Sequence, residues 1–132
     1  MKENNSLDYN YPFKQNETQN QILLKMKELY EQTLLSSLNL IDLEQLRIIS
    51  EVLKKAQYID IYTSAGNLFF AENFKFQMQE IGTFINVPTE EYHQRLTAST
   101  SNKTHVAIII SFEGRGLIFE KIPKILKGNK TP

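Results

Sequence analysis

The sequence has no cysteine and no tryptophan among its 132 residues. Without cysteine there are no disulfides, no thiolate metal sites and no cysteine nucleophile. Charge of one sign is lacking too: 15 Lys and Arg balance 15 Asp and Glu, for a formal net charge of zero. Gripping a polyanion depends on clustered Lys and Arg, so neutrality argues against nucleic-acid binding as the main task of the chain. No apolar run reaches the ~18 residues that a membrane span requires, and Met1-Lys2-Glu3-Asn4-Asn5 does not open a signal peptide. The two histidines, His93 and His105, have no metal-ligand spacing. The expectation is a cytoplasmic chain with no membrane segment, no metal and no cofactor.

What is present suits one small domain. The hydrophobic content is 41%, and a chain of this length buries roughly 68% of its unfolded surface. The first sixteen residues are polar and aperiodic, a linker-like leader whose large groups are Tyr9, Tyr11, Pro12 and Phe13. From Thr18 the pattern becomes helical. Ile22, Leu23, Met26, Leu29, Tyr30 and Leu34 recur at helical spacing, which predicts a core-facing helix, and Thr18 with Gln21 forms a capping-box pattern. Asp42 is placed to cap a second helix carrying Leu43, Leu46, Ile49, Val52, Leu53 and Ala56.

After Ala56 the period switches. Tyr58–Tyr62, Phe84–Val87 and His105–Ser111 read as strands, separated by helices over 68–81 and 90–98 and followed by one over about 117–126 that contains Pro123. Gly82 suits the position just past the end of its helix. The third strand is so continuously apolar that it is expected to be central and buried on both faces. Alternating strands and helices predict an α/β fold with a parallel sheet, preceded by two N-terminal helices. The ending Asn129-Lys130-Thr131-Pro132 resembles a loop into a fourth strand, so the fold is expected to be incomplete, with 17–132 a partial domain.

In open parallel sheets ligands bind beyond the carboxyl ends of the strands, where the strand order reverses. Two loops meet that description, Thr63-Ser64-Ala65-Gly66-Asn67 and Ser111-Phe112-Glu113-Gly114-Arg115-Gly116. Each leads into a helix N-terminus, where free N–H groups and the helix dipole favour phosphate. Gly, Ser and Asn also belong in ordinary strand-to-helix turns, and on spacing alone that plainer reading takes precedence. Glu113 is discordant, because a carboxylate opposes a phosphate by ~1 kcal/mol near a surface. The remaining candidates are plainer still: His93 on a helix face, His105 opening a strand, Glu90-Glu91 complementing a helix dipole, and Lys121, Lys124, Lys127 and Lys130 as a solvated helix end.

With both loops in place, the chain resembles the sugar isomerase (SIS) domain of RpiR-type transcriptional regulators from about Leu7 onward. The residues that carry the resemblance are Asp8-Tyr9-Asn10-Tyr11-Pro12-Phe13, Ala56-Gln57-Tyr58-Ile59-Asp60-Ile61-Tyr62, Ala71-Glu72-Asn73-Phe74 with Ile81-Gly82, and Ile109-Ile110-Ser111-Phe112-Glu113-Gly114. It implies a flavodoxin-like sandwich that forms homo-oligomers and senses a phosphorylated sugar without catalysis. Ligand contacts would fall on Ser64, Asn67, Ser111, Glu113, Gly114 and Gly116. The chain has Thr63 and Ala65 where the family usually has glycines, Asn67 for a serine, and Glu113 and Gly116 for hydroxyl residues. The resemblance implies DNA contact only through a helix-turn-helix domain that this sequence does not contain, so a truncated product or fragment is expected. Two alternatives follow: an interaction module that keeps dimerisation but not the ligand, and a phosphosugar isomerase with Glu113 as base.

Overall fold

The computed structural model describes residues 12–112, 114 and 117–132. The chain divides into two compact units, Met1–Leu46 and Arg47–Pro132. In the first unit, Lys25 donates to the Pro12 carbonyl at 3.0 Å and pairs with the Glu17 carboxylate. That bond to Lys25 holds the Glu17 carboxyl below the ordinary range. Helix α1 spans Gln19–Leu40 and opens on the expected capping box, with Thr18 and Gln21 bonded reciprocally. It does not face a core: none of its residues is buried, and Leu23, Leu24, Tyr30, Leu34, Leu35 and Leu38 are exposed. Helical periodicity reports an apolar stripe and is silent on what covers it. Asp42 caps α2, Leu43–Lys55, by accepting from the Glu44 and Gln45 amides at 2.9 and 3.1 Å.

The second unit is α/β. Strand β1 spans Tyr58–Tyr62, α3 Asn67–Glu80, β2 Ile85–Asn86, α4 Glu91–Thr100, β3 His105–Ile109 and α5 Leu117–Gly128. The sheet is parallel throughout, in the order β2-β1-β3. Parallel neighbours need long crossovers, which the helices supply. Strand β2 is shorter than the sequence suggests; Pro88, which has no N–H to donate, follows it closely. Gly82 adopts φ +81° just past α3, as its position predicts.

Alternate side chains serve opposite faces. Ile59, Ile61 and Ile85 form a core with Val87 and Ala71, joined by Leu53, Leu68, Phe74, Ile108 and Ile110. On the other face Tyr62, Ala98, Ile122 and Leu126 pack with Ala107, Ile109 and Ile125. The two faces therefore differ in their helices, α2 and α3 on one and α4 and α5 on the other.

Strand β3 is not central, as its apolar run had suggested. Strand β1 lies between the other two, and of β3 only Val106 is buried. Both faces of β3 do pack on helices, and on its outer edge the Ala107 amide donates to the Pro132 carbonyl at 2.8 Å. The inner strand carries a charge instead. Asp60, 3% exposed, accepts from the Asn86 amide at 2.8 Å and lies 2.7 Å from His105 Nδ1. Asn86 is its partner in register on β2, and His105 opens β3. A buried charge persists where it is hydrogen-bonded on both oxygens, and neighbouring strands supply both partners here.

Candidate functional site

The connection from β1 goes to β2 on one side of the sheet, and the chain then returns to place β3 on the other. The order thus reverses between β1 and β3, which is where the two candidate loops begin. Tyr62 is in register with Ile109. The Ile110 amide donates to the Tyr62 carbonyl at 3.0 Å, and the fully buried Thr63 hydroxyl donates to the Ile110 carbonyl at 2.9 Å. Main chain and side chain together stitch the carboxyl ends of the strands, so Ser64 and Ser111 start from adjacent positions.

A second tie reaches across from α4. Gln94, 2% exposed, donates through Nε2 to the Thr63 carbonyl at 2.7 Å and to the Pro88 carbonyl at 2.9 Å. One amide group thereby joins the ends of β1 and β2. Gln94, Ala98 and Ser101 are the buried positions at i, i+4 and i+7, but a glutamine on a polar helix reads as solvent-facing. Sequence reasoning therefore missed it. It also passed over Asp60, although a lone acid between two isoleucines in a strand is a signal of a specific partner.

The first loop has the geometry of a helix entrance. Ser64 is exposed and Asn67, half-buried, is the first residue of α3. The Asn67 and Leu68 amides donate to the Ser64 and Ala65 carbonyls at 3.3 and 3.1 Å. Gly66 occupies the cap position, no side chain caps the helix, and no acid lies in its first turn. This end of α3 keeps its positive dipole uncompensated. Ala65 adopts φ +51°, a left-handed conformation that disfavours a Cβ by ~1–2 kcal/mol. Ala65→Gly is expected to raise Tm by about 3 °C, less than full relief because glycine also loses more entropy on folding. A differential scanning measurement that finds Tm lowered would show the strain to be absent.

In the second loop, Ser111 is half-buried and, among the described residues, its hydroxyl donates to the Phe112 carbonyl at 3.2 Å. Gly114 has φ +66° with open space around it, a left-handed conformation that favours glycine. Glu113 and Gly116 lie outside the described residues. Of the six expected contacts, Ser64, Asn67 and Ser111 are thus brought to neighbouring strand ends, and Gly114 is placed in the loop that follows.

No group of three or more His, Cys, Asp or Glu among the described residues is arranged to hold a metal ion. No helix among them is long and apolar enough to cross a membrane. His93 lies 4.0 Å from Glu90 on an exposed face of α4. No protein-family model matches the chain, and no curated protein matches it.

Proposed function

We propose that the chain is the effector-sensing, non-enzymatic domain of an RpiR-type regulator, binding a phosphorylated sugar between the loops that follow β1 and β3. The observation that carries this reading is the reversal of strand order between those two strands, the position at which open α/β sheets take ligands. The N-terminus of α3, which no side chain caps and no acid neutralises, offers its positive dipole end to the phosphate, and Ser64, Asn67 and Ser111 offer hydroxyl and amide groups to the sugar. The finer assignment, a flavodoxin-like SIS fold, rests on the sequence resemblance.

The test is thermal unfolding against a panel of aldose and ketose phosphates, with unphosphorylated sugars and inorganic phosphate as controls. A ligand at a hundred times its Kd adds about 2.7 kcal/mol, which corresponds to a Tm rise of roughly 10 °C for a chain of this size. Ser111→Ala is expected to abolish the rise while leaving unliganded Tm nearly unchanged, because the hydroxyl makes one exposed local bond. No shift across the panel with folded protein overturns the reading. If that outcome comes with a dimeric mass in sedimentation, the interaction module takes its place, favoured by the absence of any buried residue in α1.

A further inference from the structure

At the amino ends of the same strands lies a second feature, independent of the loops. A cleft of about 770 Å³ opens beside β1 and β2, with Tyr58, Phe84, Leu96, Thr97, Asn86 and His105 among its lining. Tyr58 and His105 are the first residues of β1 and β3 and face each other in register. The loops therefore lie a whole five-residue strand away, roughly 15 Å.

The polar groups of this cleft are fixed from behind. A carboxylate only accepts, so the 2.7 Å contact from Asp60 assigns the proton of His105 to Nδ1. In the neutral ring Nε2 is then an acceptor, and it has no hydrogen-bond partner among the described residues. Tyr58 stacks on the imidazole with centroids 4.8 Å apart, which holds the ring plane. Asn86 spends its amide nitrogen on Asp60, so its carboxamide oxygen is a second acceptor without a partner among the described residues, on an exposed side chain. Two acceptors are thus presented beside apolar and aromatic walls.

Charge narrows the choice of ligand. Asp60 lines the cleft and no Lys or Arg does. An anion would meet a carboxylate with no compensating cation, whereas a neutral or cationic donor meets complementary groups. We infer that this cleft is a binding site for a small planar heteroaromatic amine, whose ring packs against Tyr58 and Phe84 while its N–H groups donate to His105 Nε2 and the Asn86 oxygen. Asp60 is a positioning residue that sets the histidine tautomer.

The inference is tested on the full chain by titrating adenine, with benzoate as a planar anionic control, and following by NMR the His105 ring nitrogens and the amides of Thr97 and Thr100, both in the cleft lining. A ligand of about ten heavy atoms reaches a Kd of about 0.1–1 mM. Saturable adenine shifts at Nε2 and at both amides, with benzoate far weaker, are the expected result. Asp60→Asn lets the ring exchange tautomers and is expected to weaken adenine about tenfold, as is His105→Phe. Should either core variant fold poorly, Asn86→Ala on the exposed side chain is expected to weaken adenine several-fold. Absence of a saturable shift at Nε2, benzoate binding as tightly as adenine, or unchanged affinity in His105→Phe overturns the inference. So does a set of cleft shifts produced by protein concentration alone, which would make a second copy the occupant.

Discussion

Replacing Gln94 by leucine is expected to destabilise the second unit by about 3 kcal/mol and lower Tm by roughly 12 °C. Leucine is close to glutamine in volume and favours helix at least as well, so α4 itself loses little. The loss falls on the Thr63 and Pro88 carbonyls, which accept from Gln94 Nε2 at 2.7 and 2.9 Å. Both would be left buried beside a methyl group, and an unsatisfied buried acceptor costs about 1–3 kcal/mol. Gln94→Glu is expected to be more damaging, since a carboxylate would face the same two oxygens. Urea unfolding checks the magnitude, and a leucine variant within about 2 °C of the wild type would show that water or a rearranged loop satisfies the carbonyls. The change also reaches the candidate site, because the same amide holds the start of the Thr63–Asn67 loop against the end of β2.

Gln94 illustrates where the sequence is mute. The strands and helices of the second unit were legible because the apolar period changes from 3.6 to 2 at Tyr58 and back at Asn67. Caps were legible as well: Thr18, Asp42 and Gly82 each stand where local geometry demands a side-chain acceptor or a positive φ. The strand order was not. A continuous apolar run in β3 states that both its faces are covered, not that both its neighbours are strands, and the order β2-β1-β3 places it on the flank. The charge in β1 was likewise undecidable alone. Asp60 is tolerable because Asn86 and His105 arrive in adjacent strands, and those pairings are properties of register, which no local pattern encodes.

The candidate site divides in the same way. Its location followed from topology: two small-residue loops after strands, brought side by side where the order reverses. Ser64, Asn67 and Ser111 were singled out by the resemblance, because hydroxyl and amide side chains suit an ordinary strand-to-helix turn equally well. What ties the first loop in place reaches beyond it, from Thr63 to the end of β3 and from Gln94 of α4 to Thr63. Helix α1 is the opposite case. Its stripe of leucines was read correctly as apolar, yet apolarity alone does not name the surface that buries it.

The second large effect concerns Tyr62. Its side chain is fully buried against Ala98, Ile122 and Leu126, and its hydroxyl has no hydrogen-bond partner among the described residues. Burial pushes the phenol well above its ordinary value of 10.0, and the negative charge of Asp60 pushes it further. The folded state therefore keeps the proton where the unfolded chain has released it. A group with a raised folded value contributes fully below the unfolded value, and that contribution is lost as pH climbs above about 10. At about pH 12 the deficit from this one group reaches about 2.7 kcal/mol, two units at 1.36 kcal/mol each. Tyr62→Phe keeps the ring and removes both the titration and the orphaned hydroxyl. At neutral pH the variant is expected to gain about 1 kcal/mol, because a buried hydroxyl without a partner costs at least that much. Between pH 10 and 12 its advantage should widen by the alkaline deficit, to several kcal/mol in all. Denaturant unfolding of both proteins across that range measures the difference directly, and other tyrosines and lysines cancel because they are common to the two. A variant that is less stable at neutral pH would mean that the hydroxyl is bonded after all. Parallel losses in both proteins above pH 10 would place the alkaline sensitivity in another residue, and only a widening gap assigns it to the buried phenol at the end of the central strand.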